Sequence, residues 1–154
     1  MAVFNLTATL KSVESHLRSS GYASSVVVGE PKSAMEAGPR VTAAVWTVSA
    51  TIVALTAGNE TIELHVLNVR LYADAFTESP ETLELAIVNA QSQVAAKLLA
   101  DANLNSSVRS IDAGGQYGVQ FEGQYGYAEV SGKMYRIVDL TLPFIVDASA
   151  TVTP

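Results

Sequence analysis

The side chains that most often carry chemistry are few in this chain and far apart. There are two histidines, His16 and His65, and no cysteine. A Ser-His-Asp relay needs a histidine beside a serine displayed on a sharp strand-to-helix turn, and neither histidine lies near such a sequence. His16 falls near the polar side of a helical repeat and His65 on one face of an alternating strand, so both read as structural residues. Two isolated histidines without a thiolate fall short of a zinc ligand set unless carboxylates complete it. The run from Gly126 to Lys133, GYAEVSGK, comes close to a phosphate-binding loop. It has five residues between its glycines where four are required, and Met134 stands where the metal-binding hydroxyl belongs. Carboxylates gather at Asp74, Glu78, Glu81 and Glu84, where a helix is predicted to begin and its dipole favours acids. No pair among them sits in an apolar run that would raise one pKa for acid–base work. The sequence therefore predicts no catalytic residue, no metal ligand and no cofactor, and a protein that is not an enzyme.

Composition narrows the partners. The formal charge is −6, from nine basic and fifteen acidic residues, and the nine cations are scattered singly from Lys11 to Arg136. A nucleic-acid grip needs clustered Lys and Arg to displace counterions, and no such cluster occurs. The 19 residues from Val41 to Asn59 are uncharged, which raises the question of a membrane span. Five of them are Thr or Ser and β-branched residues dominate, which suits a pleated sheet better than a bilayer helix. No membrane partner is expected. The first residues lack the apolar core of a signal peptide, and with no cysteine the chain fits synthesis in a cytosol.

The elements that would position any functional surface read as follows. Leu6, Leu10, Val13 and Leu17 recur at helical spacing, with Lys11, Glu14 and Arg18 on the wet side, Asn5 or Thr7 as cap and Gly21 as stop. Tyr22–Val28 reads as a strand, and residues 29–39 as a loop rich in Gly and Pro. Val41–Tyr72 then forms one long β-hairpin turning at residues 56–59, with Trp46 expected to be largely buried or sealed by a neighbour. In its second arm the apolar face flips, from Ile62, Leu64 and Val66 to Leu67, Val69 and Leu71. Ser79, Pro80 and Glu81 start a second helix whose stripe is Leu83, Ile87, Ala90, Val94 and Leu98, ending near Ala102.

The last third changes character. Ser107–Asp112 reads as a short strand. Gly114–Gly132 holds six of the ten glycines with Tyr117, Phe121, Tyr125 and Tyr127 between them, and reads as a mobile or extended loop leading into a strand at 125–130. Ser131-Gly132-Lys133 turns the chain into a closing strand, Met134–Val146, in which Pro143 suggests an edge, a bulge or a break. The expected fold is α+β: a mostly antiparallel sheet built on the long hairpin, with two helices packed against it. Residues 1–148 form the single domain and 149–154 a loose tail.

In the order of these elements the chain resembles the tail terminator proteins of long-tailed bacteriophages, particularly those of actinobacteria. The likeness runs over almost all of the chain, from LKSVESHLRSSGYASSVVVG through the uncharged strand, its charged partner and the Pro-started helix to the closing run Tyr135–Asp147. It implies a structural virion protein that assembles with itself as a hexameric ring on the tail tube protein. Such a ring ends tube polymerisation and presents a surface to the head-tail connector protein. Double-stranded DNA would pass through its lumen without specific binding. It implies a location in the virion neck, after synthesis in the host cytoplasm. Met35, Tyr117, Phe121 and Tyr125 are the candidate subunit or tube contacts, together with the hairpin. The alternatives are another phage neck or tail-completion protein, and a small-ligand or peptide-binding module with the Gly/Tyr-rich loop as lid.

Overall fold

A computed structural model describes residues 4–20, 23–31, 41–55, 57–58, 60–75 and 79–149. Helix α1 (Leu6–Ser19) is followed by strands β1 (Ala23–Val28), β2 (Val41–Leu55) and β3 (Glu60–Asp74). Helix α2 (Pro80–Ala100) then leads to β4 (Ser110–Ile111), β5 (Glu122–Val130) and β6 (Lys133–Ser149). One curled sheet runs β1-β2-β3-β6-β4, with β5 also pairing to β6. The architecture is α+β as expected.

Every strand pair is antiparallel except β1 with β2. A parallel neighbour needs a crossover of about a dozen residues, and the 29–40 segment has that length. The hairpin forms as read: β2 and β3 pair from Thr42–Tyr72 to Leu55–Thr61. Val130 and Lys133 close the β5–β6 hairpin around Ser131 and Gly132, both at positive φ, the geometry a two-residue turn requires.

Both helices lie on one side of the sheet. Val13 and Leu17 of α1, Leu83, Ile87, Ala90, Val94 and Leu98 of α2, and Leu67, Val69 and Leu71 of β3 share one core. The stripe on α2 is the one its spacing predicts. On α1 the buried face is rotated: Thr9 and Ser12 are buried with Val13 and Leu17, while Leu6 is exposed. Partners far along the chain explain this. Thr9 Oγ1 lies 3.0 Å from Ser107 Oγ, Ser12 Oγ accepts from Asn105 Nδ2 at 3.0 Å, and His16 Nε2 meets Asp101 Oδ2 at 2.7 Å. The segment after α2 reaches this seam through three consecutive left-handed residues, Leu104, Asn105 and Ser106. Asn5 caps α1 by accepting from Ala8 N, so Asn5 and not Thr7 is the cap.

Pro143 lies neither at a sheet edge nor at a break. It pairs with Val66 inside β6, between the end of β5 pairing at Thr141 and the start of β4 pairing at Phe144. Its carbonyl accepts from Asp112 N, so its nitrogen faces the same flank, where the gap between two strands asks for no ladder donor. The closing strand continues to Ser149, paired to Glu60, so the tail expected from residue 149 starts in the sheet; residues 150–154 lie outside the described residues.

Candidate assembly surface

The hairpin is longer than the layers that cover it. β1 shields the outer edge of β2 only from Val41 to Val45. From Trp46 to Leu55 no described strand pairs with that edge. A free edge presents unpaired backbone donors and acceptors, which chains usually guard with Lys, Pro or a cover. Here the edge has no charge and no Pro, and it leaves Val48, Ile52 and Leu55 60%, 67% and 66% exposed. Among the described residues its one structural guard is a pair of register shifts against β3, at Val48 and Val53.

Beneath the hairpin the sheet is locally ordered by aromatics. His65 lies between Phe4 and Phe144, with centroids 4.7 and 5.6 Å away, and its Nε2 meets Glu63 Oε1 at 2.9 Å. Leu6, Val48 and Ala50 join Phe4 and His65 around a cleft of about 410 Å³. Ala50, Ile52 and Leu55 pair with His65, Glu63 and Thr61, alternate residues of β3. They therefore share the helix side of the sheet, beyond the point where α1 begins.

The opposite face carries a polar node under Trp46. Asp139 accepts from Arg70 Nε at 2.6 Å, from Arg70 Nη2 at 2.9 Å and from Asn68 Nδ2 at 2.9 Å. The guanidinium lies over Trp46 at 5.3 Å and over Tyr72 at 5.8 Å. Its hydrogen bonds to Asp139 raise the Arg70 pKa above its ordinary value, against the opposing effect of burial. Burial pushes the Tyr72 phenol up, with the nearby Arg70 charge pulling it down. Trp46 is only partly buried; Arg70 seals one face of it, because β2 leaves the cover of β1 at this residue.

Of the four candidate contact residues, the structure describes Tyr117, Phe121 and Tyr125, each in a different setting. Met35 lies outside the described residues. Tyr117 is half-buried in a turn that is folded and not extended: the Asp112 carboxylate accepts from Gln116 N at 2.9 Å and Tyr117 N at 3.3 Å. Phe121 is partly buried, packed against the main core of its own chain. Tyr125 is exposed on β5 beside Tyr127, with Arg136 over both rings and paired to Glu84 of α2. The strand itself begins at Glu122, three residues before the expected start. Sequence reasoning missed Leu85, Val88 and Leu99, which α2 exposes. The signal was present, since these residues fall outside the stripe of Leu83, Ile87, Ala90, Val94 and Leu98.

Among the described residues no group of three or more metal-ligating side chains gathers, and no helix is long and apolar enough to cross a membrane. Compared with models of known protein families and with curated protein sequences, the chain matches none.

Proposed function

We propose that this chain is a structural subunit of a phage virion, a tail-terminator-like protein that closes into a ring on the end of the tail tube. The observation that carries the reading is the free, uncharged edge from Trp46 to Leu55 with its exposed Val48, Ile52 and Leu55. Exposed apolar patches of this kind are uncommon on monomers and mark contact surfaces. The resemblance in element order supplies the partners: further copies of the chain, the tube protein and the head-tail connector. The subunit number proposed is six.

Charge supports a conduit that does not hold DNA. Six copies at −6 each carry about −36 in all, and such a ring repels duplex where the two come close. A cationic wall would instead bind phosphates and slow passage. The lumen is accordingly lined by acidic or neutral side chains. The test is native mass spectrometry of the purified protein with and without tube protein, followed by electron microscopy of capped tubes. Rings of six on tube ends are expected. Failure to join tubes under any condition, or salt-sensitive submicromolar DNA binding, overturns the proposal.

A further inference from the structure

The described residues leave ten large apolar side chains exposed. Seven of them fall into two patches. Leu6, Val48, Ile52 and Leu55 surround the uncovered part of the hairpin. Leu85, Val88 and Leu99 lie on α2, with Ser92 and Ala96 exposed between them. At about 100° per residue these α2 positions point away from Leu83, Ile87, Ala90, Val94 and Leu98, which face the sheet. One helix therefore carries an apolar stripe on each side. Surface helices in a finished structure are apolar on one side only, and a helix apolar all round is normally enclosed.

The hairpin patch has the opposite deficiency. Ile52 and Leu55 lie on the helix side of the sheet, where the helix layer stops short of them. One element lacks a second sheet and the other lacks a helix. We infer that the outer face of α2 in one copy packs on the helix-side face of the hairpin in the next copy, so that α2 lies between two sheets. The inference rests on the proposed ring in taking the contact as head-to-tail.

Three observations select a second copy in that arrangement. The exposed apolar side chains of both patches are uncharged, and the carboxylate beside the hairpin patch, Glu63 opposite Ile52, is held by Thr61 and His65, so two subunits of a −6 chain can meet there with no unpaired carboxylate on the hairpin side. A symmetric contact of either patch with itself would leave the other in water, whereas the head-to-tail contact covers both and leaves each end open for another copy. Ser92 and Ala96 are small, which lets the strand backbone approach the helix closely between Val88 and Leu99.

The test uses two variants at exposed positions, Val88→Glu on α2 and Ile52→Glu on the hairpin, each checked for unchanged circular dichroism and melting. Each alone should weaken self-association roughly tenfold or more, by burying a carboxylate in an apolar contact. Mixed in equal amounts, with one isotopically labelled, they should form a mixed pair of wild-type affinity that stops at two. The intact hairpin of Val88→Glu meets the intact α2 of Ile52→Glu, and the remaining ends are both blocked. A mixture that does not pair, a Val88→Glu protein that associates like wild type, or a wild-type chain monomeric at its highest soluble concentration overturns the contact. If wild type forms rings and Val88→Glu forms them equally well, the ring stands and this contact falls. If the mixed pair forms but wild type grows into open polymers, the contact stands and the ring falls.

Discussion

Removing Asp139 tests how the two arms of the sheet are held behind the hairpin. Its carboxylate takes three hydrogen bonds, two from Arg70 and one from Asn68, so Asp139→Ala strands a guanidinium stacked on Trp46 and Tyr72. Opposite unit charges about 4 Å apart interact by about 4 kcal/mol at an effective dielectric constant of about 20. Desolvation offsets part of that. The two side chains are 23% and 27% exposed, between a surface pair and a buried one. Exposed pairs contribute up to about 1 kcal/mol, and breaking a fully buried pair costs about 3–5 kcal/mol. The net cost of Asp139→Ala should therefore be about 2–3 kcal/mol. For a chain of 154 residues that lowers Tm by about 5–10 °C. A double-mutant cycle with Arg70→Ala, read by urea denaturation, should give a coupling of about 2 kcal/mol. Arg70→Ala should also shift Trp46 emission to the red by uncovering its ring. A coupling below about 0.5 kcal/mol, or one that vanishes in high salt, would refute the reasoning, since a partly buried bidentate pair is only partly screened.

Two further predictions concern stability. Ser79 Oγ accepts from Thr82 N at 3.3 Å, so Ser79→Ala should lower stability by about 1 kcal/mol; an unchanged urea midpoint would mean the cap contributes nothing. Tyr72 has its pKa raised by burial, so the unfolded phenol loses its proton first. Its contribution is complete below about pH 10 and is lost as pH rises through the folded value. Tyr72→Phe should flatten the alkaline decline in stability, and equal slopes above that pH in both proteins would rule the phenol out as its cause.

What was legible in the sequence was local. The start of α2 could be read because Ser79, Pro80 and the first-turn acid act within one turn, and the hairpin because its two arms adjoin. The rotation of α1 was not legible, because Thr9 and Ser12 are buried by Ser107 and Asn105, 98 and 93 residues away. Pro143 misled for a similar reason: its flank depends on where β4 and β5 stop, which its own neighbours do not encode. The uncharged run from Val41 looked like a buried spine. Only its start is one, since Ala43, Ala44 and Val45 are fully buried, and most of the rest is surface because β1 is six residues long.

That edge also bears on how copies would meet in the proposed assembly. A flat uncharged strand would zip onto any other free strand through its backbone, which is the usual route to aggregation. The shifts at Val48 and Val53 interrupt the ladder on β2, so no long run of outward donors and acceptors keeps one register. Backbone pairing is thereby weakened while the side chains stay exposed. Those side chains need a partner that offers apolar surface without demanding strand register, and a helix face meets that condition. The outer stripe of α2 is such a face on this same chain. In the proposed contact the bulges and the second apolar stripe on α2 share one physical explanation, an edge guarded against strands and left open to a helix.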